Sequence, residues 1–144
     1  MDKKVITNNS LETQRLGSKF ARKLKEGDIV LLFGNLGAGK TTFVQGLAKG
    51  MCIKDRILSP TFVIHRSHGV SFGNIKYLNH VDLYRIENQT EIENLGLPEI
   101  VGEESSVTVI EWADRLSDFK PQTGYKIWFK YLDENKREIT VSKI

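Results

Sequence analysis

Apolar positions along the chain follow two periods, and the switches between them mark strands and helices in alternation. Val5-Ile6 reads as a short strand, after which Asn9 or Ser10 can cap a helix, with Glu12 three residues past Asn9 as in a capping box. Leu16, Phe20 and Leu24 then recur at helical spacing, and Gly27-Asp28 turns the chain into Ile29 to Phe33. That run is apolar without a break, which predicts a strand buried on both faces in a central parallel sheet. From Thr41 to Met51 the residues Phe43, Val44, Leu47, Ala48 and Met51 share one helical stripe and are expected to pack on the sheet.

Ser59-Pro60-Thr61-Phe62 breaks the helical pattern, because proline biases the preceding residue towards extended geometry, and a strand through Phe62-Val63-Ile64 is predicted next. Tyr77 to Tyr84 reads as another strand, with His80 and Asp82 on one alternating face. The polar, glycine-bearing stretch Ser67 to Asn74 is expected to join the two as a hairpin connection, making part of the sheet antiparallel. Glu87 to Leu95 is predicted as a short acidic helix ended by Gly96, with Pro98 close behind. Val107 to Ile110 is a second core strand, ending at Glu111-Trp112. Ile127, Phe129 and Tyr131 alternate, and Asp133-Glu134-Asn135 turns the chain towards Ile139-Thr140-Val141 as a closing hairpin.

The stretch between the first core strand and the second helix carries the chemistry. Gly34-Asn35-Leu36-Gly37-Ala38-Gly39-Lys40-Thr41 is a complete G-x-x-x-x-G-K-[ST] loop, followed by Thr42. Such a loop turns its backbone N–H groups inward as an anion nest, and the following helix N-terminus adds the positive end of its dipole. In this motif Lys40 reaches the β and γ phosphates of a nucleoside triphosphate and the Thr41 hydroxyl ligates Mg²⁺. An ordinary glycine-rich turn is the competing reading, and strand before and helix after argue against it. The fold class that follows is α/β: a P-loop NTPase-like, mainly parallel central sheet flanked by helices, with a C-terminal hairpin, read as a single domain over residues 1–144.

Hydrolysis needs a further metal anchor and a group that positions water. Glu111 ends a hydrophobic strand where P-loop proteins hold a Walker B acid, and Asp82 ends the other candidate strand, so the two compete for those roles. Each can instead cap a helix or pair with Arg85 or Arg115. Thr61, in the proline loop, can act as a γ-phosphate sensor or as a plain turn residue. Trp112 can cover the nucleotide or simply pack. His80 reads as a hydrogen-bonded structural imidazole, and His65 and His68 as exposed, with no metal-like spacing among the three. Asn135-Lys136-Arg137-Glu138 partly matches the guanine-reading N-K-x-D motif but lacks its final Asp, which favours ATP over GTP.

Composition adds limits. With 40% hydrophobic and 27% charged residues over 144 positions, the chain is of globular type and long enough for one core. It shows no apolar run of membrane-spanning length and no signal segment, so a cytoplasmic protein without membrane contact is expected. The single Cys52 has no disulfide partner within the chain and is expected to pack, buried or half-buried. Net charge is only +3, but residues 1–50 hold nine Lys/Arg against four acids, while residues 87–118 hold nine acids and one base, Arg115. A solvated surface explains this more simply than an RNA or partner footprint.

Taken together, the loop Gly34 to Thr42, Ser59-Pro60-Thr61-Phe62, His80-x-Asp82-x-Tyr84-Arg85, Leu95-Gly96-Leu97 and Glu111-Trp112 resemble the TsaE family (older name YjeE), small P-loop ATPases of bacterial tRNA threonylcarbamoyladenosine synthesis. One departure is Ala113, where that family often has proline. The resemblance implies ATP and Mg²⁺ as cofactors, with Asn35, Leu36, Gly37, Ala38, Gly39, Lys40, Thr41, Thr42 and Trp112 at the nucleotide. It also implies Mg²⁺ shared by Thr41 and Glu111, and Asp82, Lys40 and Thr61 in hydrolysis. The partners it implies are the TsaB and TsaD proteins, with tRNA met through their complex, and an ATPase activity weak alone and raised by partners. A small P-loop kinase, or a docking module that ATP merely orders, are the alternatives. Neither an arginine-rich lid nor an arginine finger is evident, Arg85 and Arg115 being the candidates.

Overall fold

Around the apolar run Ile29–Phe33 the computed structural model builds one mixed sheet; it describes residues 2–54, 57, 64–117 and 119–144. The strands are β1 (Lys3–Thr7), β2 (Ile29–Phe33), β3 (His65–Phe72), β4 (Ile75–Asp82), β5 (Ser106–Glu111), β6 (Gly124–Tyr131) and β7 (Arg137–Lys143). Their order in the sheet is β1-β7-β6-β2-β5-β4-β3. The middle four, β6-β2-β5-β4, run parallel, as the unbroken burial of β2 and β5 requires. Antiparallel neighbours extend the sheet on both sides: β7 and β1 beyond β6, in the expected C-terminal hairpin, and β3 beyond β4.

Helices α1 (Ser10–Phe20) and α2 (Lys40–Gly50) cover one face, where Phe43, Val44, Leu47 and Ala48 pack against Val30, Leu32, Val107 and Val109. Full burial of side chains such as Phe43 and Leu47 contributes about 1.5–3 kcal/mol each. The short helices α3 (Gln89–Asn94) and α4 (Leu97–Val101) cover the other face, over Leu31, Val81 and Ile110. The two helices of the first face meet closely because Gly17 faces the Phe43 carbonyl and Gly46 faces the Gln14 carbonyl, with no room for a Cβ at either.

Two helix starts, the expected one of α1 and that of α3, are capped by asparagine. Asn9 Oδ1 accepts from the Glu12 N–H at 2.8 Å, and Asn88 Oδ1 accepts from the Glu91 N–H at 3.0 Å. The returning carboxylates reach one residue further back than in a standard capping box, to the N–H of Asn8 and of Glu87.

Several expectations are corrected. The strand expected over Tyr77 to Tyr84 is Ile75–Asp82, and the turn before it is only Gly73-Asn74. Ser67 to Phe72, expected as connection, belong to β3: an edge strand with one open side tolerates polar side chains that a central strand does not. The acidic helix begins two residues later than expected, at Gln89, and Gly96, at φ 72°, leads into the unforeseen α4 with Pro98 in its first turn. Cys52 is exposed, on a left-handed turn at φ 62° that ends α2, so it does not pack in the core. Ser59 to Val63, including Thr61, lie outside the described residues; so does the strand expected there, apart from Ile64, which is a bend and not a strand.

Candidate functional site

Parallel pairing puts the ends of three strands at one level. Leu32 of β2 stands opposite Glu111 of β5, and Glu111 opposite Asp82 of β4. The loop that leaves β2 therefore opens at the carboxyl edge of the sheet beside both acids, the edge where open α/β sheets bind ligands.

The loop's shape depends on glycines in conformations that L side chains rarely adopt. Gly34 has φ 148°, and a Cβ there would stand 2.7 Å from the Phe129 carbonyl; Gly39 has φ 103° and precedes the first turn of α2. Lys40 folds back so that its ammonium donates to the carbonyl oxygens of Gly34 and, at 3.1 Å, of Asn35. Burial pulls the Lys40 amine below the ordinary lysine range, and the carboxylates of Glu111, Asp82 and Asp114 pull it partly back. An ammonium held this way at the first turn of α2 is suited to an anionic guest.

Thr41 follows Lys40 and donates its hydroxyl to Glu111 Oε1 at 3.0 Å. The other Glu111 oxygen lies 2.5 Å from Nε2 of His80, which is fully buried, so the predicted hydrogen-bonded histidine has the candidate metal anchor as its partner. Asp82 is almost wholly buried and accepts from the Tyr84 N–H at 2.9 Å, which fixes its carboxyl at the strand end. Just past Glu111 the chain turns through Trp112 in the left-handed region, φ 59°, a conformation that costs a bulky residue about 1–2 kcal/mol. The turn sets the indole over Lys40, its centroid 4.1 Å from Nζ, with Tyr84 packed behind at 5.0 Å.

Lys40, Thr41, Asp82, Tyr84, Glu111 and Trp112 line one cleft of about 450 Å³. On one side of the loop stand Asp82, Glu111 and Trp112. On the other side, where Gly39 abuts Arg137 and Thr13, the walls are Asn9, Ser10 and the β6–β7 turn with Glu134, Asn135 and Arg137. Of the predicted residues, Leu36 to Thr42, Asp82, Glu111 and Trp112 all reach the cleft, whereas Asn35 contributes a carbonyl to Lys40 and does not line it. Arg115 approaches the Trp112 ring at 5.8 Å, and Arg85 lies in a separate shallow depression with Glu87. His65 and His68 are half-buried and not exposed; His65 Nε2 lies 3.0 Å from Asn79 Oδ1 in the sheet.

The β6–β7 turn is the part that sequence reading missed. In the sequence Asn135 reads as part of a hairpin turn and, with Arg137, as a partial guanine motif, and nothing local signals that a hairpin tip 94 residues after Thr41 returns to the phosphate loop. Asp133 organises that tip: its carboxylate accepts from the N–H groups of Asn135 and Lys136, both at 2.8 Å, which hold it below the usual carboxylate range. Arg137 lies along the Tyr131 ring at 4.5 Å and donates to the carbonyls of Asp133 and Lys136.

The donor set fits a magnesium nucleotide. A hydroxyl and a carboxylate are the hard oxygen ligands that Mg²⁺ takes, the glycine loop with Lys40 suits phosphates, and the cleft extends beyond Gly39 to Asn9, Ser10 and Asn135.

Comparison with known proteins finds similarity over nearly the whole chain. The family model for threonylcarbamoyl adenosine biosynthesis protein TsaE matches residues 7–139. The tRNA threonylcarbamoyladenosine biosynthesis protein TsaE of Treponema pallidum is 37% identical over 137 residues, covering 95% of this chain and 98% of that protein. Its counterpart in Bacillus subtilis is 36% identical over 138 residues, covering 96% and 84%. Among solved structures, the Bacillus subtilis protein YdiB is similar with a TM-score of 0.80 and 33% identity, covering 100% of this chain and 86% of that one.

Proposed function

Because the chain belongs to the TsaE family of threonylcarbamoyl adenosine biosynthesis proteins, we propose that it is the ATP-binding and ATP-hydrolysing component of the machinery that adds threonylcarbamoyl to the adenosine beside the anticodon of tRNA. The observation that carries the ATPase part of this reading is the Thr41–Glu111 contact next to the buried Lys40 ammonium.

In this reading the glycine loop and Lys40 hold the β and γ phosphates, and Thr41 and Glu111 hold Mg²⁺. The metal supplies positive charge that offsets the charge on the phosphate oxygens. Asp82, fixed at the end of β4 beside Glu111, orients the attacking water. Trp112 closes over Lys40 and keeps bulk water from the phosphates, while Asn9, Ser10 and the Asn135 turn are left for the nucleoside. Thr61 acts as the γ-phosphate sensor of a switch segment. Phosphoryl transfer depends on positioning and electrostatic stabilisation; neither Arg85 nor Arg115 lines the cleft, and Arg137, which does, is engaged by the Asp133 and Lys136 carbonyls, so hydrolysis by the isolated chain is slow. TsaB and TsaD complete the site, and the hydrolysis cycle supports turnover of their complex. The work is cytoplasmic, and among the described residues no helix is long and apolar enough to cross a membrane.

Reconstitution tests the role. With TsaB, TsaD, the threonylcarbamoyl donor, ATP and tRNA present, adding this chain is expected to carry the reaction past one modified tRNA per complex. Equal multiple-turnover yield without the chain would refute the assignment.

A further inference from the structure

We propose that His80 is a positioning residue for the metal anchor: its Nε2–H holds the Glu111 carboxylate in the rotation that presents Oε1 to Thr41. The inference rests on the reading of Glu111 as a Mg²⁺ ligand. The terminal torsion of a glutamate is broad and roughly two-fold, so a strand-end carboxylate with one partner can turn. Glu111 has two partners, one per oxygen: Thr41 Oγ1 at 3.0 Å and His80 Nε2 at 2.5 Å.

A merely structural histidine explains the site less well. His80 is fully buried on the α2 side of the sheet, opposite Val109, where an apolar side chain of similar volume would pack without desolvating a ring nitrogen. Its Nδ1 has no partner among the described residues, so the hydrogen bond to Glu111 is the one polar contact that the ring makes there. With the proton on Nε2, Nδ1 keeps only a lone pair and no unpaired N–H is buried. The cost of placing an imidazole in the core is thus matched to a single effect, the orientation of Glu111.

The test reads metal coupling without turnover. The affinity of the full chain for a non-hydrolysable ATP analogue is measured with Mg²⁺ and with EDTA, and the ratio reports the metal's contribution. Loss of a group that orients a metal ligand typically weakens metal binding about 10–100-fold, so His80→Leu is expected to lower the ratio about tenfold or more while leaving the EDTA affinity unchanged. His80→Gln, whose amide can still donate towards Glu111, restores most of it. Glu111→Gln lowers the ratio as well, and His80→Leu in that background adds little, since both act through one carboxylate. If Glu111→Gln lowers the ratio and His80→Leu does not, the positioning role is wrong and the metal assignment stands. If Glu111→Gln leaves the ratio unchanged, the metal assignment fails and the proposal with it. Should His80→Leu not fold, His80→Asn, which keeps an amide but stops short of Glu111, is read by the same criteria.

Discussion

Thr41 and Glu111 stand 70 positions apart in sequence, and the Thr41 hydroxyl donates to the Glu111 carboxylate at 3.0 Å. Two hard-oxygen groups that would share Mg²⁺ thus stand side by side. Thr41→Ala removes the hydroxyl and keeps the helix start, so it is expected to weaken Mg²⁺-dependent nucleotide binding by about tenfold or more. Calorimetric titration with Mg²⁺ATP checks this, and an unchanged affinity would take Thr41 out of the site.

Lys40 sets function against stability. Burial lowers its pKa, so the folded chain holds its proton less tightly than the unfolded chain does. Between the lowered value and the ordinary 10.5 the unfolded state binds more protons, and stability contributed by this group rises with pH across that window. Lys40→Met removes the buried charge and keeps the stem. The expected result is a melting temperature equal to or above that of the parent near neutral pH, with the gap narrowing as pH rises towards 10.5, and ATP affinity lower by about 100-fold or more. A melting temperature clearly below the parent's would show that the ammonium stabilises the fold.

Asp82 is held by the Tyr84 N–H and sits level with Glu111, on a strand end separate from the phosphate loop. Asp82→Ala is therefore expected to bind ATP within a few-fold of the parent and to lose partner-stimulated hydrolysis by about 100-fold, the scale of a positioned acid or base. Parallel binding and phosphate-release measurements separate the two effects. Full stimulated turnover in the variant would remove Asp82 from the mechanism.

The α1–α2 seam depends on Gly46, where a Cβ would fall on the Gln14 carbonyl. Gly46→Ala forces the helices apart and is expected to cost about 1–3 kcal/mol, roughly 3–5 °C of melting temperature per kcal/mol for a chain of this size. Gly69 in the edge strand has nothing within 4 Å, so Gly69→Ala is the control and is expected to leave stability unchanged. Equal melting temperatures for the two variants would contradict the packing account.

What the sequence made legible was local. The phosphate loop, the stripe Phe43 to Met51 and the run Val107 to Ile110 each follow from spacing within a few turns or strand pairs, and each stands where its pattern put it. The carboxylates Asp82 and Glu111 stand out in the sequence as acids that end candidate strands, and the parallel register of β4 and β5 brings them level. The rest depended on register between distant segments. The return of Asn135 and Arg137 to the loop, the partnership of His80 with Glu111, and the polar residues of β3 within a strand are set by which strands pair and where the sheet ends, and no window of neighbouring residues carries that. Trp112 was ambiguous for a related reason: only its left-handed backbone aims the ring at Lys40.

Phosphate release at saturating Mg²⁺ATP, from the isolated chain and again with TsaB and TsaD added, tests the central claim most directly. The account predicts slow release alone and a marked rise with both partners, abolished by Lys40→Ala. Release that stays at background in both conditions, from protein shown to bind ATP, would contradict it and leave a docking module that ATP only orders.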